Sequence, residues 1–503
     1  LILFGFLSQS SKKKTVAVVN SVPHDPAASQ DPAAARRGDL ARFRVGFYDC
    51  LTARADELFE LTDALLCTDG PVRTLVELAL APEHRRGHGA LYDALNHGRI
   101  DMARLRRALA GVALPRAVDG RIVLGVDVSP WLRPDAPTSP QRLFCHTYGR
   151  GRGRAQMIPG WPYSIIAALE PGRTSWTAVL DAERVGPDSD LTDLTAGQVR
   201  ALVGRLRTVG QHHDGDPDIL VVFDAGYDVC RLAFLLADLP VEVLGRIRSD
   251  RVLCAPAAAA AAGGRGGRPP RHGAVFALAR PQEGPAPSVS TTTDTTRYGT
   301  ARAHGWDRLH PRLTHQSAWA EHPGELPIVE GTVIRLQVAR LPGRHDPKPL
   351  WLWWSNTGAT PADVDRCWQA FLRRFDLEHT FRLFKQILGW TCPKLRDPAA
   401  GDRWTWLIIA AHTQLRLARH LTDDLRRPWE RPAPPERLTP ARVRRGFRRL
   451  RAKTGLPASA PKPAHPGPGR PPGSRNTRPA AHHPVGKHTK PDTAAAINNQ
   501  PAG

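Results

Sequence analysis

From Phe371 to Trp390 the chain reads FLRRFDLEHTFRLFKQILGW, with apolar residues recurring at helical spacing. On an ideal helix Leu377, Phe381, Phe384 and Leu388 share one apolar arc, and Trp368, Phe371 and Phe375 share another. Arg374, Glu378 and Lys385 fall between them, within about 40° of one another. This charged stripe faces the protein, and an ionised carboxylate there needs partners. Two readings fit the pattern: an ion-pair row of Glu378 with Arg374 and Lys385, or a metal-binding or catalytic glutamate.

Elsewhere the periodicity changes several times. From Leu40 to Arg116 it is helical, clearest in ADELFELTDALL and LYDALNHGRIDMARLRRALAG. RIVLGVDV, residues 121–128, is a β-branched apolar run closing on Asp127, and YSIIAAL and SWTAVLDAERV are two further strands. After the amphipathic helix TAGQVRALVGRLRTVG, the run DILVVFDAGYD repeats the first theme and ends its strand on Asp224. VCRLAFLLADL then reads as a helix and VEVLGRIRSD as a strand. From Arg251 the chain is first low in complexity, then short, β-prone and rich in turns. RWTWLIIAAHTQLRLARHL is a late buried helix. Beyond Arg426 proline and arginine dominate, and this composition predicts disorder.

These shifts divide the chain into an irregular, disordered or spurious start (1–40), a helical DNA-binding domain (41–116), a first core segment (117–250), a β-rich insertion (251–356), a second core segment (357–426) and a basic, Pro-rich disordered tail (427–503). The opening LILFGFLSQSSKKKTV is too short to span a bilayer, and its charges follow the apolar run, so it reads as a fragment start or spurious upstream translation. No later run approaches about 18 consecutive apolar residues, so no membrane span is expected.

Charge narrows the partner. The 503 residues carry a formal net charge of +22, and nucleic acid is the commonest polyanion for so basic a chain. The 7 cysteines are scattered, with no CxxC pair, which argues against a zinc ribbon or a disulfide framework and suits a reducing cytoplasm.

Each of the two strand-ending aspartates, taken alone, also fits an Asx turn or a helix N-cap. Together with Glu378 they make three carboxylates from two strands and one helix. Such a set can hold two divalent cations for phosphodiester chemistry, and oxygen-only ligands favour Mg²⁺ or Mn²⁺.

GVDVSPW, VVFDAGYD and FDLEHTFRLFKQILGW resemble the three acidic motifs of DDE transposases with a ribonuclease-H-like core, most closely actinobacterial insertion-sequence enzymes of the IS701 and wider IS4 type. The resemblance implies an α/β fold, a ribonuclease-H-like mixed sheet with helices, interrupted by the β-rich insertion and preceded by the helical domain. It also implies the order seen here: strand acid, strand acid, insertion, helical glutamate. The IS4-type signature Tyr-x2-Arg-x3-Glu-x6-Lys is matched at Arg374, Glu378 and Lys385, with Phe371 in place of the tyrosine. By that resemblance Asp127, Asp224 and Glu378 are catalytic and bind two Mg²⁺ or Mn²⁺ ions, while Arg374, Arg382 and Lys385 hold DNA phosphates. The GRPP segments at 267–270 and 469–472 resemble AT-hook cores, which makes Arg470 a further DNA contact.

The expected activity is that of a DNA transposase. It binds the terminal inverted repeats of its element, cleaves the phosphodiester and joins the 3′ end to target DNA, working as a homodimer in a synaptic complex. A bacterial cytoplasmic protein, nucleoid-associated when DNA-bound, is implied. Two alternatives stand beside it: a related nuclease that cuts without transposing, and a decayed or domesticated DNA-binding protein.

Overall fold

The computed structural model describes residues 31–148, 155–172, 174–257, 270–341, 347–462, 472–473 and 479–486. Arg470 and most of both GRPP segments lie outside this set.

The N-terminal part is helical: α1 (Pro32–Asp49), β1 (Leu51–Ala53), α2 (Ala55–Cys67), α3 (Leu75–Ala79), α4 (His88–His97), β2 (Arg99–Ile100) and α5 (Met102–Gly111). Helix α1 starts inside the stretch expected to be irregular. Asp31 caps it by accepting from the Ala33 N–H, and Pro32 occupies the first turn, where a missing N–H costs nothing.

The core begins with β3 (Val123–Leu132), β4 (Leu143–Tyr148), β5 (Ala155–Leu169) and β6 (Thr177–Arg184). Then follow α6 (Leu191–Thr208), β7 (Ile219–Phe223), α7 (Val229–Leu235) and β8 (Val241–Ile247). β5 is antiparallel to β3, β4 and β6, whereas β3–β7 and β7–β8 are parallel. Antiparallel strands followed by two parallel ones, with helices on both faces, make the mixed α/β sheet of a ribonuclease-H-like core.

β9 (Val252–Pro256) and β10 (His272–Ala277) pair as a separate ribbon. β11 (Val289–Thr295), β12 (Gly299–Leu309), β13 (Gly331–Val338) and β14 (Leu350–Trp354) run antiparallel in sequence, and β14 anneals to β8. The 251–356 segment thus widens the core sheet to 10 strands.

The last elements are α8 (Pro361–Arg373), α9 (Asp376–Gln386), α10 (Pro398–Ala418) and α11 (Pro440–Arg451). The single helix expected over 371–390 is therefore two, broken at Arg374–Phe375. Disorder beyond Arg426 is also corrected for residues 427–462 and 479–486; the rest of the tail lies almost wholly outside the described residues. Val443, Phe447 and Leu450 recur at helical spacing on α11, are buried, and join the core of α2 and α10. Asp63 of α2, itself buried, takes Arg44 of α1 at 2.7 Å and Arg451 of α11 at 3.0 Å. Further on, Gly486 bridges Leu143 of β4 in parallel, and the His483 N–H donates to the Pro137 carbonyl at 2.9 Å. Composition concealed these contacts because arginine supplies most of the residues between the few apolar ones.

The two sheet faces differ. Leu124 and Val126 of β3 and Val221 and Phe223 of β7 pack under α6 and α7. The opposite face of β7, Leu220 and Val222, packs under α8. Strand alternation turns Gly125, Asp127 and Asp224 toward this second side.

Candidate active site

β3 and β7 pair as Val123↔Leu220, Leu124↔Val221 and Gly125↔Val222. Continuing that register by two residues sets Asp127 beside Asp224. β7 ends at Phe223, so Asp224 is the first residue past it. Asp127 does not end its strand: β3 runs on to Leu132, held by β5 through Leu132↔Gly160. Asp127 therefore stands where β7 drops away, at the carboxyl end of the parallel pair.

The local alternatives for these acids resolve at the residue level. The Asp224 carbonyl, not its side chain, accepts from the Tyr227 N–H at 3.2 Å, and Asp228 provides the N-cap of α7. The Asp224 carboxylate makes neither the local turn nor the helix cap, and among the described residues its Oδ1 is buried without a hydrogen-bond partner. Asp127 Oδ1 accepts from the Val128 N–H at 2.8 Å.

Arg374 joins the two. It is the C-cap residue of α8, where the chain turns into α9, and its side chain is 3% exposed. One guanidinium nitrogen reaches Asp127 Oδ2 at 2.8 Å and the other reaches Asp224 Oδ2 at 3.4 Å. The guanidinium carbon also lies 5.6 Å from the Phe371 ring centroid and 5.2 Å from that of Phe375. Phe371, standing where the resembled signature has tyrosine, thus flanks the cation with an apolar ring.

Glu378 is reached through Gly125. A Cβ on Gly125 would come within 3.0 Å of Leu377 Cδ1, so the bare glycine lets α9 settle on the Asp127 face. Glu378, next after Leu377, is solvent-exposed, and its charge acts on Asp127. Burial raises the Asp127 carboxyl to about 6. Asp224 and Glu378 push it the same way, against the pull of Arg374. Lys385, one helical stretch on, is half-buried with its Nζ 5.7 Å from the Trp390 ring centroid, and desolvation lowers its pKa. Arg382 is exposed on α9.

The structure therefore brings Asp127 and Asp224 onto one guanidinium, with the helix of Glu378 laid beside them. Among the described residues no three His, Cys, Asp or Glu side chains are gathered closely enough to hold a metal ion. The donor chemistry nonetheless suits a hard divalent cation: every donor is a carboxylate oxygen, and one is buried and uncommitted. Sequence reasoning missed Gly125 and Phe375, and it did not pair Arg374 with the aspartates. A glycine inside an apolar strand was the available signal for close approach; the bridge depends on the helix break, which periodicity does not reveal.

No helix among the described residues is long and apolar enough to cross a membrane. A search of curated proteins found no match. A family model described as DDE superfamily endonuclease matches residues 46–312, just over half of the chain; it spans both aspartate strands and ends before α8 and α9. With that match and the ribonuclease-H-like sheet beneath the paired aspartates, the chain belongs to the DDE superfamily of endonucleases.

Proposed function

We propose that this endonuclease is the transposase of a mobile element, with Asp127, Asp224 and Glu378 as its catalytic carboxylates. The observation that carries the reading is the register of β3 and β7, which aligns two acids at the open edge of parallel strands under the helix of a third. In this reading the three carboxylates hold two Mg²⁺ or Mn²⁺ ions. When bound, such ions activate the attacking oxygen and stabilise the leaving one.

The chain's own groups do the rest. Asp127 must be ionised to act as a ligand, and its raised pKa means that a bound cation competes there with a proton. Arg382, exposed on α9, and Lys385 beside it offer positive charge to DNA phosphates along the groove. Water makes the cut and the freed 3′-hydroxyl attacks target DNA, so no covalent protein–DNA bond is needed. Two element ends joined in one complex call for at least two copies of the chain. Cutting without joining remains the rival activity within the same superfamily.

Asp127→Asn, Asp224→Asn and Glu378→Gln keep side-chain shape and remove ligand charge. Each is expected to lower cleavage of an element-end duplex in Mg²⁺ by at least about a hundredfold, with end binding by gel shift retained. Near wild-type cutting by any of the three would remove that residue from the site. Pre-cut ends supplied to the wild-type protein test joining: strand-transfer products establish a transposase, and their absence beside intact cleavage leaves a nuclease.

A further inference from the structure

The bridge made by Arg374 has a consequence for how the site fills. We propose that Arg374 is a positioning residue, a resident counter-cation that holds Asp127 and Asp224 together and that a divalent cation must displace. The inference rests on the reading of these two aspartates as metal ligands.

Three observations support it. The first is the identity of the contacted atoms. Arg374 takes Oδ2 of Asp127 and Oδ2 of Asp224, one with each arm of its fork, so it spans both strands with a single rigid group. A divalent ion held by the same carboxylates would compete for oxygens that the guanidinium now contacts. The second is charge. One positive group faces two carboxylates, with Glu378 adding to the negative field at Asp127. Asp224 Oδ1 remains without a donor. The site is therefore under-neutralised by arginine and gains by exchanging one charge for two.

The third is the place of Arg374 in the chain. It lies at the joint of α8 and α9, and Phe375, which opens α9, makes no side-chain cap. Among the described residues its Nε is buried without a partner, and the two carboxylates and the flanking rings hold the group. A guanidinium released from the aspartates keeps the faces of Phe371 and Phe375 beside it and becomes available to another anion. Because arginine and the ion compete for the same oxygens, removing the arginine must strengthen ion binding.

The test is a calorimetric titration of the full chain with Mn²⁺, without DNA. Arg374→Gln is expected to bind Mn²⁺ about tenfold more tightly than wild type, within the usual range of coupling between sites. Lys394→Gln removes an exposed cation that pairs with Asp135 and is expected to stay within about twofold of wild type. A scaffold role for Arg374 would instead weaken binding as the aspartates spread apart. Equal tightening in both variants would show a general charge effect, and that result, or no tightening in Arg374→Gln, overturns the proposal. Asp127→Asn supplies the separate check: undiminished Mn²⁺ binding there sinks the reading of the site itself. Should Arg374→Gln fail to fold by circular dichroism, Arg374→Lys, which keeps the charge but loses the fork, is read by the same criterion. Tightening beyond about twofold supports displacement, and none overturns it.

Discussion

Asp127 is held in an environment that resists its charge. Burial, Asp224 and Glu378 together raise its pKa to about 6, whereas an unfolded chain ionises aspartate near 4. The folded protein therefore binds this proton more tightly, and the stability the group contributes when neutral is lost as pH rises from about 4 through about 6. Asp127→Asn mimics the neutral form. It should unfold at higher urea than wild type at pH 7.5, by on the order of 2 kcal/mol, and the gap should shrink to roughly a third by pH 4.5. Urea midpoints at the two pH values check this. A variant less stable than wild type at pH 7.5 would mean that the Arg374 contact outweighs burial. Both aspartates stood out in the sequence because each follows an apolar, β-branched run, although only Asp224 follows the end of its strand. The partner of Arg374 was not: its stripe neighbours on an ideal helix were Glu378 and Lys385, and only the packing of that helix over two strands shows which carboxylates it meets.

At the scale of elements, strands and helices with one strong period were readable, and those interrupted by turns or diluted by arginine were not. Both α8 and α9 have a continuous apolar pattern, yet the path bends at Arg374–Phe375, a choice imposed by the surfaces beneath. Helix α11 makes the complementary case. Val443, Phe447 and Leu450 are the large apolar residues of its buried face, which also takes in Pro440, Arg444 and Gly446, and arginines fill most of the intervals. Its contribution is nevertheless of core size. Phe447 is fully buried, and Phe447→Ala should destabilise the protein by about 3–5 kcal/mol, as for other large core truncations. Chemical denaturation measures this, and a loss below about 1 kcal/mol would show that α11 is a loosely attached appendage.

For the whole molecule, the excess of positive charge was plain from composition, but its distribution was not. Many arginines are spent internally, as in the pairs of Arg442 with Asp424, Arg445 with Glu430 and Arg448 with Glu83. Residues 463–503 carry Arg470, Arg475, Arg478, Lys487 and Lys490 against the single carboxylate Asp492. Deleting this stretch should weaken DNA binding and lower the slope of log affinity against log salt by about 0.9 for each phosphate that the shortened chain no longer neutralises. Binding measured from 50 to 200 mM salt decides it, and an unchanged slope would remove the segment from the DNA interface.

The seam between β8 and β14 also bears on how the protein is made. A ribosome delivers β8 about a hundred residues before the strand that anneals to it, and Glu378 emerges only after that strand. Until then the nascent sheet presents an unpaired edge, the kind of surface on which chains misassociate. The same order means that a chain stopped before residue 378 lacks Glu378, and so lacks one of the three carboxylates of the proposed site.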